Sequence, residues 1–324
     1  MKAAVFMGPG KSLEVQEIDI PKLADDEILV KVAHCGVCGT DIHASKEGPF
    51  MVPLNTVFGH EFSGEIIELG SEVDENSFHV GERVTSLPFF KGQNIGLSSV
   101  SGGYAEYLRV IPDQVVKIPD EIDDLKAALV EPLAVGLHAV KMAGNIAQQN
   151  ILIIGAGPIG LACATWCRFF GAGNIVISEM APARIEMAKK LGFNKIVDPK
   201  DVDNQFEQIA GGAPDIQVEC VGAPGIMQQC IERAPKRGFI LGVGLCDHPD
   251  TIVPLIAFGK ELTIRWAVAY DKEDWEFTMD MMVEQRIDAS AMITNVVSLE
   301  ELPAIFDALH SPSDQCKVII DLSR

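Results

Sequence analysis

The sequence is short of positive charge. Its 324 residues contain 26 Lys and Arg against 46 Asp and Glu, which gives a net charge of −20. Such an acidic surface repels nucleic-acid phosphates and anionic membranes, so neither is expected as a partner. The most nearly uncharged stretch, 142–167, is broken by glycines and amide side chains and predicts a buried strand and helix rather than a membrane span. No basic and then apolar leader opens the chain, so we expect a cytoplasmic protein.

Cysteine is present, but not in the pattern of a disulfide framework. The eight cysteines are scattered, mostly within apolar segments, and we expect buried free thiols. Cys35-Gly-Val-Cys38 has a spacing that occurs in redox dithiols and in zinc sites. Redox dithiols usually open a helix beside a strand, whereas this pair follows a β-like run into a glycine-rich turn. Cys35 is therefore predicted to be a buried thiol without a chemical role.

One stretch organises the rest of the sequence. The apolar run 151–154 is followed by Gly155-x-Gly157-x-x-Gly160 and then by a helix-like segment. This order of strand, tight turn and helix is the dinucleotide-binding fingerprint. The predicted cofactor-binding residues of the turn are Gly155, Gly157, Pro158, Ile159 and Gly160.

The next apolar run ends in an acidic residue, Glu179, nineteen residues beyond Gly160. A carboxylate at this point hydrogen-bonds the ribose hydroxyls of a dinucleotide and repels a 2′-phosphate, so NAD is favoured over NADP. Arg184 lies close by in the sequence and is expected to soften that preference. Both residues are predicted cofactor contacts.

The pattern of apolar runs divides the chain into two domains. Residues 1–134 carry short β-like runs between turn residues, which predict a small barrel or a curved sheet. Residues 135–271 alternate six strand-like with helix-like segments, which predicts an α/β fold with a doubly wound parallel sheet. Residues 272–324 are expected to return to the first domain. His138 lies in an apolar segment and is predicted to be a packing residue.

Side chains that can bind a metal gather in the β-rich part and at its end. A thiolate, an imidazole and a carboxylate together suit zinc, and three protein ligands leave a fourth position for a substrate. Metal and nicotinamide are then expected to meet where the two domains adjoin. The residues that carry this chemistry are Cys38, Thr40, Asp41, His43, His60, Glu61 and Glu131.

Together these motifs resemble the zinc-dependent alcohol dehydrogenases of the medium-chain dehydrogenase/reductase family, above all the branch with sorbitol, butanediol and threonine dehydrogenases. The resemblance spans essentially the whole chain. It implies a GroES-like, β-rich catalytic domain, a Rossmann domain with a six-stranded sheet, and a homodimer or homotetramer. The motifs that follow the family's order are residues 36–43, 59–64, 81–84, 131–139 and the glycine fingerprint.

The resemblance also implies a set of metal ligands. Cys38 and His60 are expected to bind zinc. Glu131 occupies the third ligand position, which polyol-type members fill with Glu instead of Cys. Glu61, adjacent to His60, is the alternative: it replaces Glu131 on the metal or exchanges with it.

Three further residues receive roles by the same resemblance. Asp41 is expected to orient His60 from outside the metal's own ligand set. Thr40 is placed to accept the proton of an alcohol by a hydrogen bond, and His43 resembles the residue that relays this proton to solvent.

The sequence departs from many zinc-dependent members in one interval. Those members carry a lobe with four closely spaced cysteines around a structural zinc, whereas residues 84–104 contain no cysteine. We therefore expect one catalytic zinc per subunit and no structural zinc. The predicted pocket walls, in loops 44–53 and 89–101, do not indicate which alcohol is bound.

The sequence thus predicts an NAD-dependent zinc alcohol dehydrogenase that oxidises a secondary alcohol or polyol to the ketone. One alternative is a metal-free NAD(P)H-dependent reductase of quinones or enones on the same fold, but such members lack the predicted metal ligands. Another is a nucleotide-binding regulatory or structural protein that has lost turnover. The intact pair of Thr40 and His43 argues against it.

Overall fold

The structure, a computed structural model, describes residues 1–46, 52–311 and 314–324. Residues 47–51 of the predicted pocket loop 44–53 lie outside the described residues. Within the described ranges, no helix combines the length and the apolar composition needed to cross a bilayer. The chain divides into two compact units. The first is Met1–Glu131, Trp275–Val283 and Ile293–Arg324, and the second is Pro132–Asp274 and Glu284–Met292.

The amino-terminal part of the chain consists of short strands with two short helices. The sequence predicts strands over 61–69 and 104–110, and β4 has the first of these bounds. Strand β8 begins three residues later than predicted, because Tyr104 donates its amide to Phe58 instead of joining the ladder. In chain order the elements are β1 (Lys2–Val5), β2 (Glu14–Glu17), β3 (Ile28–Gly36), α1 (Gly39–Ala44), β4 (Glu61–Leu69), β5 (Arg83–Ser86), β6 (Phe89–Phe90), β7 (Gln93–Asn94), β8 (Tyr107–Val110), β9 (Val115–Lys117) and α2 (Asp124–Ala127).

The middle of the chain alternates strands with helices. Helix α6 has its predicted bounds, but two helices were not predicted. One of these, α3, begins beside Pro132, which the first turn of a helix tolerates, and the other, α8, has no fully buried residue. The elements are α3 (Val130–Met142), β10 (Asn150–Ile154), α4 (Pro158–Phe169), β11 (Asn174–Ser178), α5 (Pro182–Lys190), β12 (Ile196–Val197), α6 (Val202–Ala210), β13 (Ile216–Glu219), α7 (Ile226–Arg233), β14 (Phe239–Gly242), α8 (Pro254–Lys260) and β15 (Thr263–Trp266).

The carboxyl-terminal part adds α9 (Lys272–Val283), β16 (Ile293–Val297), α10 (Leu302–Ala308) and β17 (Lys317–Asp321). The first unit is built on a sheet in the order β16-β17-β3-β4-β5-β9, with β8 also paired to β3. Strand β17 runs antiparallel to β3 and places Ile319 opposite Gly36. The last strand of the chain therefore completes the sheet that carries β3 and β4. This brings Lys317 into the neighbourhood of Glu61.

The second unit is a parallel sheet in the order β12-β11-β10-β13-β14-β15. This is the doubly wound order of a Rossmann domain, so the predicted six-stranded sheet is confirmed. Two glycines of the fingerprint differ in what a side chain would meet. A Cβ at Gly160 would collide with the carbonyl oxygen of Gly155, whereas a Cβ at Gly157 would meet nothing within 4 Å. Gly160 thus allows helix α4 to pack on the turn, and Gly157 leaves the space above the loop open.

The cysteine-free interval forms the small hairpin β6–β7, which is held by charge and by ring contacts. The buried carboxylate of Glu27 accepts hydrogen bonds from Lys91 and Arg109, both at 2.9 Å. The same two cations lie 5.6 and 5.4 Å from the ring centre of Phe90. Cations at this distance from an aromatic face are attracted to it. The hairpin is therefore attached by these contacts to Glu27, just before β3.

Candidate metal and dinucleotide sites

Helix α1 begins at the first candidate metal ligand. The Cys38 sulfur accepts a hydrogen bond from the Thr40 amide at 3.4 Å, and Asp41 Oδ2 accepts one from the Cys38 amide at 3.2 Å. These two bonds satisfy amides that the first turn of a helix leaves without partners. Cys38 is half-buried, and its thiol lies 3.5 Å from the Thr40 hydroxyl. His43 is half-buried in the last turn of the same helix.

His60 lies immediately before β4 and contacts two residues of this group. Its side chain is close enough to the Cys38 thiol for each group to shift the pKa of the other, and its Nδ1 lies 3.3 Å from Asp41 Oδ1. Burial alone would lower the pKa of His60, but Asp41 and Cys38 raise it well above its ordinary value. Burial also raises the pKa of the Cys38 thiol. The structure therefore brings together a thiol, an imidazole and the carboxylate that can orient the imidazole.

Glu61, one of the two candidate third ligands, is engaged elsewhere in the structure. Lys317 donates hydrogen bonds to both carboxylate oxygens of Glu61 at 2.7 Å and to the carbonyl of Val37 at 3.1 Å. Both side chains are at most 2% exposed. Burial alone would lower the pKa of Lys317, but Glu61 and Cys38 raise it, so the ammonium group is charged. Sequence reasoning missed Lys317 because 256 residues separate it from Glu61.

Glu131, the other candidate, lies in the first turn of α3 and is buried. It is near enough to Cys38 and to Lys317 to raise the pKa of each. Among the described residues, one set of three possible ligands has all its ligand atoms within 4.8 Å of one another, and it does not include Cys38. Cys38, His60 and Glu131 therefore do not have all their ligand atoms within 4.8 Å of one another.

The donor chemistry of this group fits zinc. Soft thiolate, imidazole and carboxylate donors are the ligands that zinc takes in catalytic sites. His60 also turns one ring nitrogen toward a carboxylate, as a metal-binding histidine does. Cys38 and His60 would hold the ion, with one of the two glutamates as third ligand.

The set that satisfies the 4.8 Å distance consists of His138, Asp271 and Asp274. Asp274 is fully buried. It accepts a hydrogen bond from Lys141 Nζ at 2.5 Å, and its other carboxylate oxygen lies 2.8 Å from His138 Nδ1. Burial alone would raise the pKa of Asp274, but hydrogen bonds from Lys141 and its other neighbours lower it. An ammonium group already balances this carboxylate. The prediction that His138 is a packing residue is wrong, because its ring is a polar partner of Asp274.

The glycine turn of the second unit has the shape that the fingerprint predicts. Gly155 has a φ of +96°, a conformation that only glycine adopts readily. Gly157 is the N-cap residue of α4, and Pro158 and Ile159 form its first turn. The amide groups at the start of such a helix are suited to binding phosphate.

Glu179 ends strand β11 beside this turn. Its Oε2 accepts a hydrogen bond from the Ala156 amide at 2.9 Å, and its Oε1 accepts from Met180 and Ala181 at 2.7 and 2.8 Å. The Arg184 guanidinium lies 3.9 Å from Oε2. The carboxylate is therefore fixed against the glycine loop, with a cation at its edge.

A second buried glutamate, which sequence reasoning missed, lies on the other side of β10. Glu219 ends strand β13, and its Oε1 accepts hydrogen bonds from the amides of Val221 and Gly222 at 2.7 and 2.8 Å. A Cβ on Gly244 would lie 2.9 Å from its Oε2. An acidic residue at the end of an apolar run is the signal that indicated Glu179, and it applies equally to Glu219.

Comparison with known proteins identifies the family. The model of the alcohol dehydrogenase GroES-like domain matches residues 24–120, and the model of the zinc-binding dehydrogenases matches residues 158–284. (R,R)-Butanediol dehydrogenase of Bacillus subtilis (strain 168) is 30% identical over 99% of both chains. The chain belongs to the zinc-dependent medium-chain dehydrogenase/reductase family.

Other relatives match this chain over nearly their full length. Sorbitol dehydrogenase of Bacillus subtilis (strain 168) is 30% identical over 100% of this chain and 98% of its own. The crystal structure of 2R,3R-butanediol dehydrogenase from Bacillus subtilis has a TM-score of 0.89 over 99% of each chain. A Sinorhizobium meliloti 1021 protein described as a zinc-binding dehydrogenase, 29% identical, has a TM-score of 0.88 over 99% of this chain and 98% of its own. Its structure contains NADP.

We expect substitution of Lys317 to destabilise this dehydrogenase strongly, because it breaks the buried ion pair with Glu61. Lys317→Met leaves the Glu61 carboxylate buried and without its cation, which should lower the free energy of unfolding by about 3–5 kcal/mol. Lys117→Met is the matched control, because the Lys117 and Glu82 pair is largely exposed and should contribute about 0–1 kcal/mol. Urea denaturation measures both. Equal small losses in the two variants would contradict the importance of the buried pair.

Proposed function

We propose that this protein is a zinc-dependent alcohol dehydrogenase that oxidises a secondary alcohol or polyol to the ketone, with hydride transfer to NAD. The observation that carries the proposal is the grouping of the Cys38 thiol, the His60 imidazole and the Thr40 hydroxyl, which lies 3.5 Å from the sulfur. Two candidate metal ligands and a candidate proton acceptor are thus close together. The butanediol and sorbitol dehydrogenases among the relatives support a substrate with neighbouring hydroxyl groups.

The proposal gives each residue of the candidate metal site a chemical role. Cys38, His60 and Glu131 would hold a zinc ion, which when bound would supply a Lewis acid that lowers the pKa of a substrate hydroxyl toward neutrality. Asp41 holds the His60 ring through Nδ1. Thr40 accepts the hydroxyl proton, and His43, on the same helix, passes it to solvent.

The choice of NAD is supported by the fixed carboxylate of Glu179. Its oxygens accept hydrogen bonds from three amides, so the negative charge is held beside the glycine loop. A 2′-phosphate would meet that charge, whereas a ribose hydroxyl can donate to it. Arg184, 3.9 Å away, moderates the repulsion. The preference for NAD is therefore moderate rather than absolute.

We also propose that the protein forms a homodimer through the edge strand β15. Among the described residues no strand pairs with the outer edge of β15. Trp266 and Val268, on and just after this strand, are 62% and 84% exposed, and Leu255 and Phe258 of α8 are 74% and 80% exposed. An open strand edge with large apolar side chains favours pairing with another strand. A second copy related by a two-fold axis offers the same edge, which makes it the natural partner.

The metal proposal is tested by elemental analysis of exhaustively dialysed protein. The natural chain should retain about one zinc per chain. Cys38→Ser should retain almost none and lose turnover on a panel of diols, sugar alcohols and secondary alcohols. Cys246→Ser, which changes an exposed thiol, is the control and should keep both. A metal-free natural protein that binds NADH and is not activated by added zinc would favour the quinone or enone reductase instead.

The cofactor proposal is tested at Glu179. Glu179→Gln keeps the size of the side chain and removes its charge, so the loss of a charged hydrogen bond, about 1.5–3 kcal/mol, should weaken NADH binding by about ten- to a hundredfold. NADPH binding should weaken less, so the ratio of the two dissociation constants narrows. Glu186→Gln, on the exposed surface of α5, is the control. An unchanged ratio in fluorescence titrations would contradict the role of Glu179.

The dimer proposal is tested by light scattering after size-exclusion chromatography. The natural chain should have about twice the 35.0 kDa mass of one chain, and Val268→Glu should shift it toward the monomer because a charge then enters the apolar contact. Val80→Glu makes the same change at a valine that is 64% exposed in the first unit and should leave the mass unchanged. A monomeric natural protein at micromolar concentration would exclude the dimer.

A further inference from the structure

Asp41 touches both candidate ligands, Cys38 and His60, through different oxygens. Its Oδ2 accepts a hydrogen bond from the Cys38 amide at 3.2 Å, and its Oδ1 lies 3.3 Å from His60 Nδ1. The side chain has no exposed surface. The rotamer of this one carboxylate therefore determines how the His60 ring is oriented and how the first turn of α1 starts.

A third group holds Asp41 in that rotamer. The Tyr104 hydroxyl donates a hydrogen bond to Asp41 Oδ2 at 2.7 Å, which is the shortest of the carboxylate's contacts. Burial and the neighbouring Asp41 raise the pKa of Tyr104, so the hydroxyl keeps its proton and acts as the donor. Neither the motifs of the sequence nor the resemblance to the family assigns Tyr104 a role.

The backbone and the core fix the Tyr104 ring. Its amide donates to the Phe58 carbonyl at 2.9 Å, and its carbonyl accepts from Ala4 at 2.8 Å. The edge of its ring meets Phe306 with 6.4 Å between the centroids. Tyr104 is fully buried, so it has little freedom to follow Asp41 if the carboxylate moves.

Gly59, the residue before His60, lies directly against the Tyr104 ring. Gly59 has a φ of +99°, and a Cβ there would lie 2.5 Å from Tyr104 Cδ1. No side chain larger than hydrogen fits between them. Tyr104 thus packs against the backbone that carries His60 on one side and bonds the carboxylate that orients its ring on the other.

We propose that Tyr104 is a positioning residue for the metal site, because its hydroxyl fixes Asp41 between His60 and Cys38. This inference rests on the proposed function, in which Cys38 and His60 bind zinc. Without the hydroxyl, Asp41 Oδ2 keeps only the longer bond from the Cys38 amide, and a buried carboxylate short of donors rotates toward other partners. The His60 ring then loses its fixed orientation. Groups that orient a metal ligand in this way typically contribute about 10–100-fold to metal affinity.

The test compares Tyr104→Phe with the natural chain, both loaded with one equivalent of zinc. Transfer of the metal to an excess of a coloured chelator gives the rate of zinc loss, which we expect to rise about tenfold in the variant. The cobalt-substituted protein should also show shifted visible bands, since these report ligand geometry at the ion. Tyr107→Phe removes a hydroxyl from a half-buried tyrosine of β8 and should change neither quantity. Circular dichroism confirms that both variants are folded.

The outcomes separate this inference from the function on which it rests. Zinc loss and cobalt bands that are the same in Tyr104→Phe and the natural chain would overturn the role of Tyr104 while leaving the metal site in place. Zinc loss that rises equally in Tyr104→Phe and Tyr107→Phe would also overturn it, because the effect would then be general softening. A natural chain whose zinc retention is not reduced by Cys38→Ser would overturn the metal site and, with it, the inference.

Discussion

Buried carboxylates constrain how the elements around them are placed in this structure. Burying such a charge is costly unless donors surround it, and this chain meets the requirement in three ways. Asp41 uses a tyrosine hydroxyl and a backbone amide, Glu61 uses the ammonium group of Lys317, and Glu179 uses three backbone amides. Each solution fixes a neighbouring element: helix α1, strand β17 or the glycine loop. The candidate functional groups are positioned by these anchors.

The sequence predicted best where one local pattern decides the outcome. Helix α6 has its predicted bounds because burial follows a helical period along it, at Val202, Phe206 and Ala210. Strand β4 also has its predicted bounds, although its first four residues are all buried and burial does not alternate there. The six-stranded parallel sheet followed from the alternation of segments, and Cys38, Thr40, Asp41 and His60 are close in space because one short turn and one strand end carry them. These predictions required no knowledge of distant contacts.

The roles of Lys317 and His138 were not predicted for the same physical reason: each contacts a residue that is remote in the sequence. Lys317 lies in a short apolar strand where a lysine reads as a surface residue, and only the pairing of β17 with β3 brings it to Glu61. His138 looked like a packing residue because its partner, Asp274, is 136 residues away. Helix α8 escaped prediction for a different reason: its apolar residues, 255–258, are consecutive in a short segment and show no helical period.

Cys38 shows how one residue can serve the fold and the chemistry at once. Its sulfur accepts a hydrogen bond from the Thr40 amide and so caps helix α1, and the same sulfur is close enough to His60 for the imidazole to affect its pKa. Serine is among the best N-cap residues, whereas alanine is a poor one. Serine at this position therefore retains the helix start and removes only the soft thiolate that zinc prefers. Loss of metal in that variant reports on the ligand itself, because the helix that carries Thr40 and His43 keeps its cap.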